Sequence, residues 1–323
     1  MKILISICTA VAMLTSSTAF AQATRSYPTK PVRIVVPFAA GGPTDYIARL
    51  VGEKLSMRLG QTFFVDNKLG AGGVVGAEAA LRAPPDGYTL LVASSSYAVN
   101  PALMKMSFDA ATDVQPVINM VVGSTVFAAN ANAPFNTLGE LVSYAKAHPN
   151  ELYYSTQGVG SITHVLTEAF LSATQIKITH VPYKGIGPAL TALASGEVQF
   201  LLPDFGAALP LATAGKIKIL AVVGNKRLTQ FPNVPTATEA GFPQMASAGS
   251  WQGMFAPKGT PPAIVDTLNR EVNAILQSPE VVEQLTARYA VPVGGTPAEF
   301  SARVTADIQR FGDVVRTVGI KAE

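Results

Sequence analysis

The chain has 323 residues, 14% of them charged, with 24 Lys and Arg against 21 Asp and Glu and a single cysteine, Cys8. At about 150 residues per domain, that length suits two domains whose cores need no disulfide or metal staple. The basic excess is small, and Lys and Arg do not cluster beyond Lys226-Arg227, which excludes a polycationic face and argues against nucleic-acid binding.

Lys2 is followed by an apolar run from Ile3 to Leu14, a polar Thr15-Ser16-Ser17-Thr18, and then Ala19-Phe20-Ala21. A positive head, a short apolar core and an A-x-A site predict a secretory leader over residues 1–21. The run is too short for the ~20 residues that a bilayer span requires, and no later stretch supplies them. The mature chain is expected to be exported to the periplasm. Cys8 leaves with the leader, so no disulfide, cysteine-bound metal or thiol nucleophile is expected in what remains.

Val32 to Val36 predicts a strand, Pro37-Phe38-Ala39-Ala40-Gly41-Gly42-Pro43 a tight loop, and Thr44 to Leu59 an amphipathic helix capped by Thr44 and stopped by Gly60. A strand, small-residue loop and helix leave backbone N–H groups of Phe38, Ala40, Gly41, Gly42 and Thr44 at the positive end of a helix, where anions bind. The same pattern also suits a close-packed turn without a ligand. Strand Thr62 to Val65, glycine loop Gly70-Ala71-Gly72-Gly73, helix Val74 to Leu81 and strand Tyr88 to Ala93 follow, the last emptying into Ser94, Ser95 and Ser96. Alternating strands and helices predict α/β architecture. The run Val117 to Val122 predicts a strand that crosses out of the first domain.

A second α/β set begins with a capping box at Thr137 and Glu140 and continues through a strand at Leu152 to Ser155. Gly158-Val159-Gly160-Ser161 opens a helix carrying His164, and further strands are expected at Ile178 to Val181, Val198 to Leu202 and Ile217 to Val223. The loops at Ser155 to Ser161, Tyr183 to Gly187 and Pro203 to Gly206 place a second cleft wall opposite the first. A strand at Trp251 to Ala256 and three helices, opened by Thr260, by Pro279 and by the capping box Thr296/Glu299, are expected to pack back on the first domain. The expected division is 27–126 plus 248–323 for domain 1 and 127–247 for domain 2.

The titratable groups argue against catalysis. His148, His164 and His180 have no metal-ligand spacing, neither H-E-x-x-H nor C-x-x-C occurs, and Ser161 lacks the G-x-S-x-G frame. A hydrolase using Ser161 and His164 would lack an orienting acid; His164 also suits packing. The Gly70 to Gly76 run departs from a dinucleotide loop, because its third glycine comes one residue late and no acid ends the next strand. No cofactor is expected. Ser94, Ser95, Ser155, Thr156, Gly158 and Ser161 are neutral donors at strand ends or helix starts, suited to a carboxylate and equally to ordinary caps. Lys184 suits a ligand carboxylate or a solvated loop. Tyr183 and Phe205 suit a sandwich around a ligand or packing, and Asp204 is the acid of the second-domain loops.

Several ordered motifs run along the chain: Tyr27-Pro28-x-Lys30-Pro31-Val32-Arg33-Ile34-Val35-Val36-Pro37-Phe38, Gly41-Gly42-x-x-Asp45-x-x-Ala48-Arg49, Gly70-Ala71-Gly72-Gly73, Pro85-Asp86-Gly87-Tyr88-Thr89-Leu90-Leu91, Gly160-Ser161-x-x-His164, His180-Val181-Pro182-Tyr183-Lys184-Gly185, Val234-Pro235-Thr236 and Ala256-Pro257-x-Gly259-Thr260-Pro261. With them the chain closely resembles the Bug family, the extracytoplasmic solute receptors of tripartite tricarboxylate transporters. The resemblance implies a monomeric, two-lobed periplasmic binding protein of type II with Venus flytrap closure, each lobe a mixed, mostly parallel sheet flanked by helices. It implies a small carboxylate held with the help of ordered waters and delivered to a small and a large membrane subunit; a sensory module for a membrane signalling partner would use the same fold. Two departures stand out. Lys68-Leu69 replaces a frequent Arg-Pro, and the family's common aspartate falls on Pro203, with the acid here at Asp204.

Overall fold

The computed structural model describes residues 27–224, 226–228, 231–245 and 250–320. The expected leader and the expected return to domain 1 at residue 248 lie outside them. The first run of elements is β1 (Val32–Val36), α1 (Pro43–Leu59), β2 (Phe63–Asn67), α2 (Val74–Leu81), β3 (Thr89–Ser94), α3 (Ser96–Leu103) and β4 (Val114–Gly123). Apolar residues fill β1 and β3 because both faces of these strands are covered. Helix α1 buries Ile47, Leu50, Val51 and Leu55 on one side and ends at Gly60, which adopts φ 71°.

Ser124 and Thr125 alone carry the chain from β4 to β5 (Val126–Asn130). Then come α4 (Leu138–Ala147), β6 (Tyr153–Thr156), α5 (Ile162–Thr174), β7 (Thr179–Pro182), α6 (Ile186–Ser195), β8 (Phe200–Leu201), α7 (Phe205–Thr213) and β9 (Ile217–Val222). The return consists of β10 (Ser250–Pro257), α8 (Pro262–Leu276), α9 (Pro279–Thr286), β11 (Ala290–Gly294) and α10 (Pro297–Val318). Helices α8 and α10 pack on β4 and α9 on β11, so all three cover the first sheet.

The two sheets have the orders β11-β4-β10-β3-β1-β2 and β7-β6-β8-β5-β9. In each, three parallel strands stand with the second strand at the edge and the first beside it (β2-β1-β3 and β7-β6-β8). Beside the third lies an antiparallel strand, β10 or β5, that has just arrived from the other lobe. The lobes therefore repeat one topology although no sequence repeat is visible, and both crossings fall on the same side of the gap. Both sheets are mixed and flanked by helices, the two-lobed architecture expected. One apolar cluster runs from Tyr97, Phe255 and Phe300 in the first lobe to Phe127, Phe170 and Phe200 in the second. Trp251 belongs to it, fully buried, with its Nε1 donating to Asp307 Oδ2 at 2.8 Å.

Several local expectations are corrected. Thr44 is not the cap of α1: Gly42 is, Pro43 takes the first helical position with its preset φ, and Thr44 lies buried in the first turn. Pro261 rather than Thr260 caps α8, and the Thr260 hydroxyl donates backward to Pro257 O at 2.8 Å. Helices α3 and α7 stand where loops were expected, each containing a proline (Pro101, Pro210) beyond its first turn, where the missing N–H removes one i→i−4 bond. The capping box of α10 is complete.

Candidate functional site

The carboxyl ends of β1, β3, β6, β7 and β8 open into the gap between the lobes, and the helices that follow them point their N-termini at it. Helices α1, α3, α6 and α7 start at Gly42, Ser95, Gly185 and Asp204 without a side-chain cap. Their first-turn amides lack carbonyl partners within the helix, leaving partial positive charge directed into the gap. Only α5 is capped there, Ser161 Oγ accepting from His164 N at 3.3 Å.

The β1–α1 loop is held by one carboxylate. Asp45, 3% exposed, accepts from Gly41 N and from Arg49 Nε with Oδ2, both at 2.9 Å, and from Asn67 Nδ2 with Oδ1. The same Asn67 amide donates to Phe38 O at 2.9 Å, so both ends of the loop are tied to one group. Burial opposes the charge on Asp45, but the bonds from Arg49, Gly41 and Asn67 hold its carboxyl below the usual range.

On the second lobe the loop from Thr156 to Ser161 is held by two stacked imidazoles. His164 and His180 lie face to face at 4.3 Å, with Tyr154 on the far side of His180 at 4.8 Å. Gly160 N donates to His164 Nδ1 at 3.3 Å, which puts the proton of a neutral ring on Nε2. His180 Nε2 meets Thr156 Oγ1 at 2.7 Å, and that hydroxyl accepts from Gly158 N at 3.2 Å. Burial drives His164 down to about 4; burial, then the neighbouring His164, drives His180 down to about 3.

The lobes touch across the gap. Ser96 Oγ accepts from Ile162 N at 3.0 Å and from Gln157 Nε2 at 3.1 Å. A Cβ built on Gly72 would lie 2.4 Å from Val159 O, and one on Gly185 3.1 Å from Ala39 Cβ. Only glycine permits such approach, so these contacts describe a closed arrangement.

Two spaces remain on either side of the β1–α1 loop. A mouth of about 260 Å³ is lined by Phe38, Gly72, Gly158, Tyr183 and Lys184, among others. An inner cavity of about 60 Å³ is lined by Gly41, Gly42, Tyr46, Asp204, Gln252 and Arg288, among others. Asp204 thus faces the gap, with Ser250 Oγ bonded to its Oδ1; burial pushes the carboxyl up, and that bond works against the shift. Ser94 lies beside Phe38 and Asn100 in a crevice without room for water. Ser95 Oγ is buried without a partner.

The other predicted site residues divide between packing, loop-building and the mouth. The ring of Phe205 is fully buried at 5.1 Å from Phe231 and 4.4 Å from Tyr289, within the core of the second lobe, so it cannot sandwich a ligand. Ser155 Oγ donates to Ala189 O. Thr156, Ser161 and His164 are engaged in building the loop, Ala40 is exposed at the loop tip, and the Tyr183 hydroxyl donates to Glu197 at 2.8 Å. Lys184 is exposed at the mouth. Ser96, Gln157, Gln252, Tyr46 and Arg288 were not anticipated. Ser96 belongs to a visible serine run, and Gln252 is a polar residue in the otherwise apolar strand β10; nothing local marks the other three.

The family model for the tripartite tricarboxylate transporter family receptor, TctC, matches residues 47–320. The chain belongs to this family. BugT of Bordetella pertussis (strain Tohama I) is 39% identical to this TctC receptor over 299 residues, 92% of this chain and 91% of that protein. The solved structure of R. palustris Rpa4515 with adipate superposes with a TM-score of 0.88 at 38% identity, covering 92% of this chain and all of that one. MatC from Rhodopseudomonas palustris with bound malate gives 0.84 at 34% identity, covering 90% of this chain and all of that one. TctC proteins are solute-binding receptors and not enzymes, which agrees with a gap whose histidines are spent on holding a loop. Among the described residues no helix is long and apolar enough to cross a membrane, and no group of acids and histidines is placed to hold a metal ion.

Proposed function

We propose that the gap captures a small organic acid reversibly, closing over it as the lobes swing about the β4–β5 and β9–β10 crossings. The observation that carries this reading is the meeting of uncapped helix N-termini from both lobes, α1 at Gly42 and α7 at Asp204, on one cavity between them, with Asp204 and Arg288 in its wall. A carboxylate accepts from amides of the β1–α1 loop around Gly42, with water filling what it leaves. Tyr183 and Lys184 stand at the entrance. The malate and adipate bound by the two relatives support a carboxylate of similar size here. On this reading residues 1–21 direct export to the periplasm, residues 27–126 with 248–323 and residues 127–247 are the lobes, and the closed, monomeric form is recognised by a small and a large membrane subunit.

Thermal unfolding against a panel of malate, succinate, adipate and citrate tests the reading. A bound solute at a hundredfold excess over Kd stabilises the protein by about 2.7 kcal/mol through linkage. An unchanged melting temperature with every acid at millimolar concentration contradicts it.

A further inference from the structure

The inner cavity contains a side chain that the fold does not explain. Gln252 is 3% exposed, lines the cavity, and among the described residues its amide makes no hydrogen bond. The amide opens on the cavity, which has room for a few waters, so it is free to exchange water for an atom of a bound solute. Its neighbours define that partner. Ser250, two residues earlier on β10 and therefore on the same face, bonds Asp204 Oδ1 and so holds that carboxyl in the wall of the cavity that Gln252 also lines. Gly123, opposite Ser250 on β4, keeps the space clear: a Cβ there would stand 3.1 Å from Asp204 Oδ1. Arg288 lies over Tyr46 at 3.9 Å on the cavity's outer side.

We propose that Gln252 and Asp204 form a specificity subsite for a hydroxyl group on the bound solute, so that the ligand is a hydroxy-substituted carboxylate. This rests on the carboxylate-receptor reading above. A hydroxyl accepts from Gln252 Nε2 while donating to Asp204, matching both groups at once. An ammonium has no lone pair for Nε2, and a second carboxylate would crowd the Asp204 acid. A bare methylene displaces water from the Gln252 amide without replacing its hydrogen bond, and a site built to bond a hydroxyl rejects such an analogue strongly. The cavity of about 60 Å³ holds a few waters and admits a hydroxyl-bearing carbon, not an aromatic ring.

Calorimetric titration with matched acids decides it: succinate, malate and aspartate; propionate, lactate and alanine; glutarate, 2-hydroxyglutarate and glutamate. Within any set that binds, the hydroxy acid is expected to bind at least tenfold tighter than its unsubstituted and amino counterparts. In Gln252→Leu that preference falls below threefold. Asp204→Asn, which keeps the fold and the shape, also reduces the preference. Equal affinity of malate and succinate, preference for the amino acid, or a hydroxyl preference that survives Gln252→Leu and Asp204→Asn overturns the subsite and leaves the receptor reading standing. Absence of binding by every acid in every set overturns both.

Discussion

Closure should depend on glycine at position 72 for reasons unrelated to local backbone strain, and a pair of variants separates the two. Gly72 has φ 58° and Gly60 φ 71°, so alanine at either position takes the left-handed conformation at a cost of about 1–2 kcal/mol in stability. Around Gly60 nothing lies within 4 Å, whereas at Gly72 the new Cβ would be 2.4 Å from Val159 O across the gap. Real Cβ atoms do not approach within 3.0 Å, so the facing loop must retreat by at least 0.6 Å, the difference of those two distances. Such a retreat lengthens a solute hydrogen bond of about 2.9 Å to about 3.5 Å, where it is effectively lost. One charge-assisted bond is worth about 1.5–3 kcal/mol, so Kd should rise roughly tenfold to a hundredfold. Titration of whichever acid binds wild type, with urea unfolding of the ligand-free proteins, measures both effects. Gly60→Ala should lose stability and keep its affinity, while Gly72→Ala loses both. Equal affinities in the two variants would refute the closure argument.

The stacked histidines predict a pH dependence. Both are held neutral in the folded protein, at about 4 for His164 and about 3 for His180, against 6.5 when unfolded. Stability is therefore complete above pH 6.5 and falls as the pH drops from there toward 4, by up to about 1.4 kcal/mol per pH unit for each ring. Urea midpoints at pH 7.5 and 5.0 should differ accordingly, and identical midpoints would show that the rings are not buried as described. Asp45→Asn should destabilise the protein by about 1.5–3 kcal/mol and weaken solute binding, because Gly41, Arg49 and Asn67 lose a shared acceptor; a change under about 0.5 kcal/mol in urea would remove the clamp. Lys184→Ala should alter Kd by less than about threefold and lower the association rate at low salt only, as expected of an exposed charge at an entrance. A rate loss that persists at high salt would place Lys184 on the solute itself.

Much of the fold was legible because its signals are local. The α10 capping box lies in Thr296 and Glu299, the end of α1 in Gly60, and the buried strands in runs such as Val32 to Val36. The two-lobed order followed from loops of small residues recurring after strands. What escaped was set by distant contacts. Helices α3 and α7 are short, and each carries a proline past its first turn, Pro101 and Pro210, where helix propensity alone argues against a helix. Phe205 sat in a loop sequence that suggested a ligand sandwich, yet Phe231 and Tyr289 close over it from elements far along the chain. Ser155 and Ser161 had the right chemistry and position, but the carbonyl of Ala189 and the first turn of α5 claim their hydroxyls. Conversely, Arg288 and Tyr46 meet across more than two hundred residues, which no spacing rule detects.

A crystal structure of the protein grown with the acid that raises its melting temperature most is the most direct test. The account predicts the solute between the lobes, with a carboxylate oxygen within about 3.2 Å of a β1–α1 loop amide and a second contact from the other lobe. A solute bound on an outer face, or lobes meeting at Gly72 and Val159 over a gap with no guest, would contradict it.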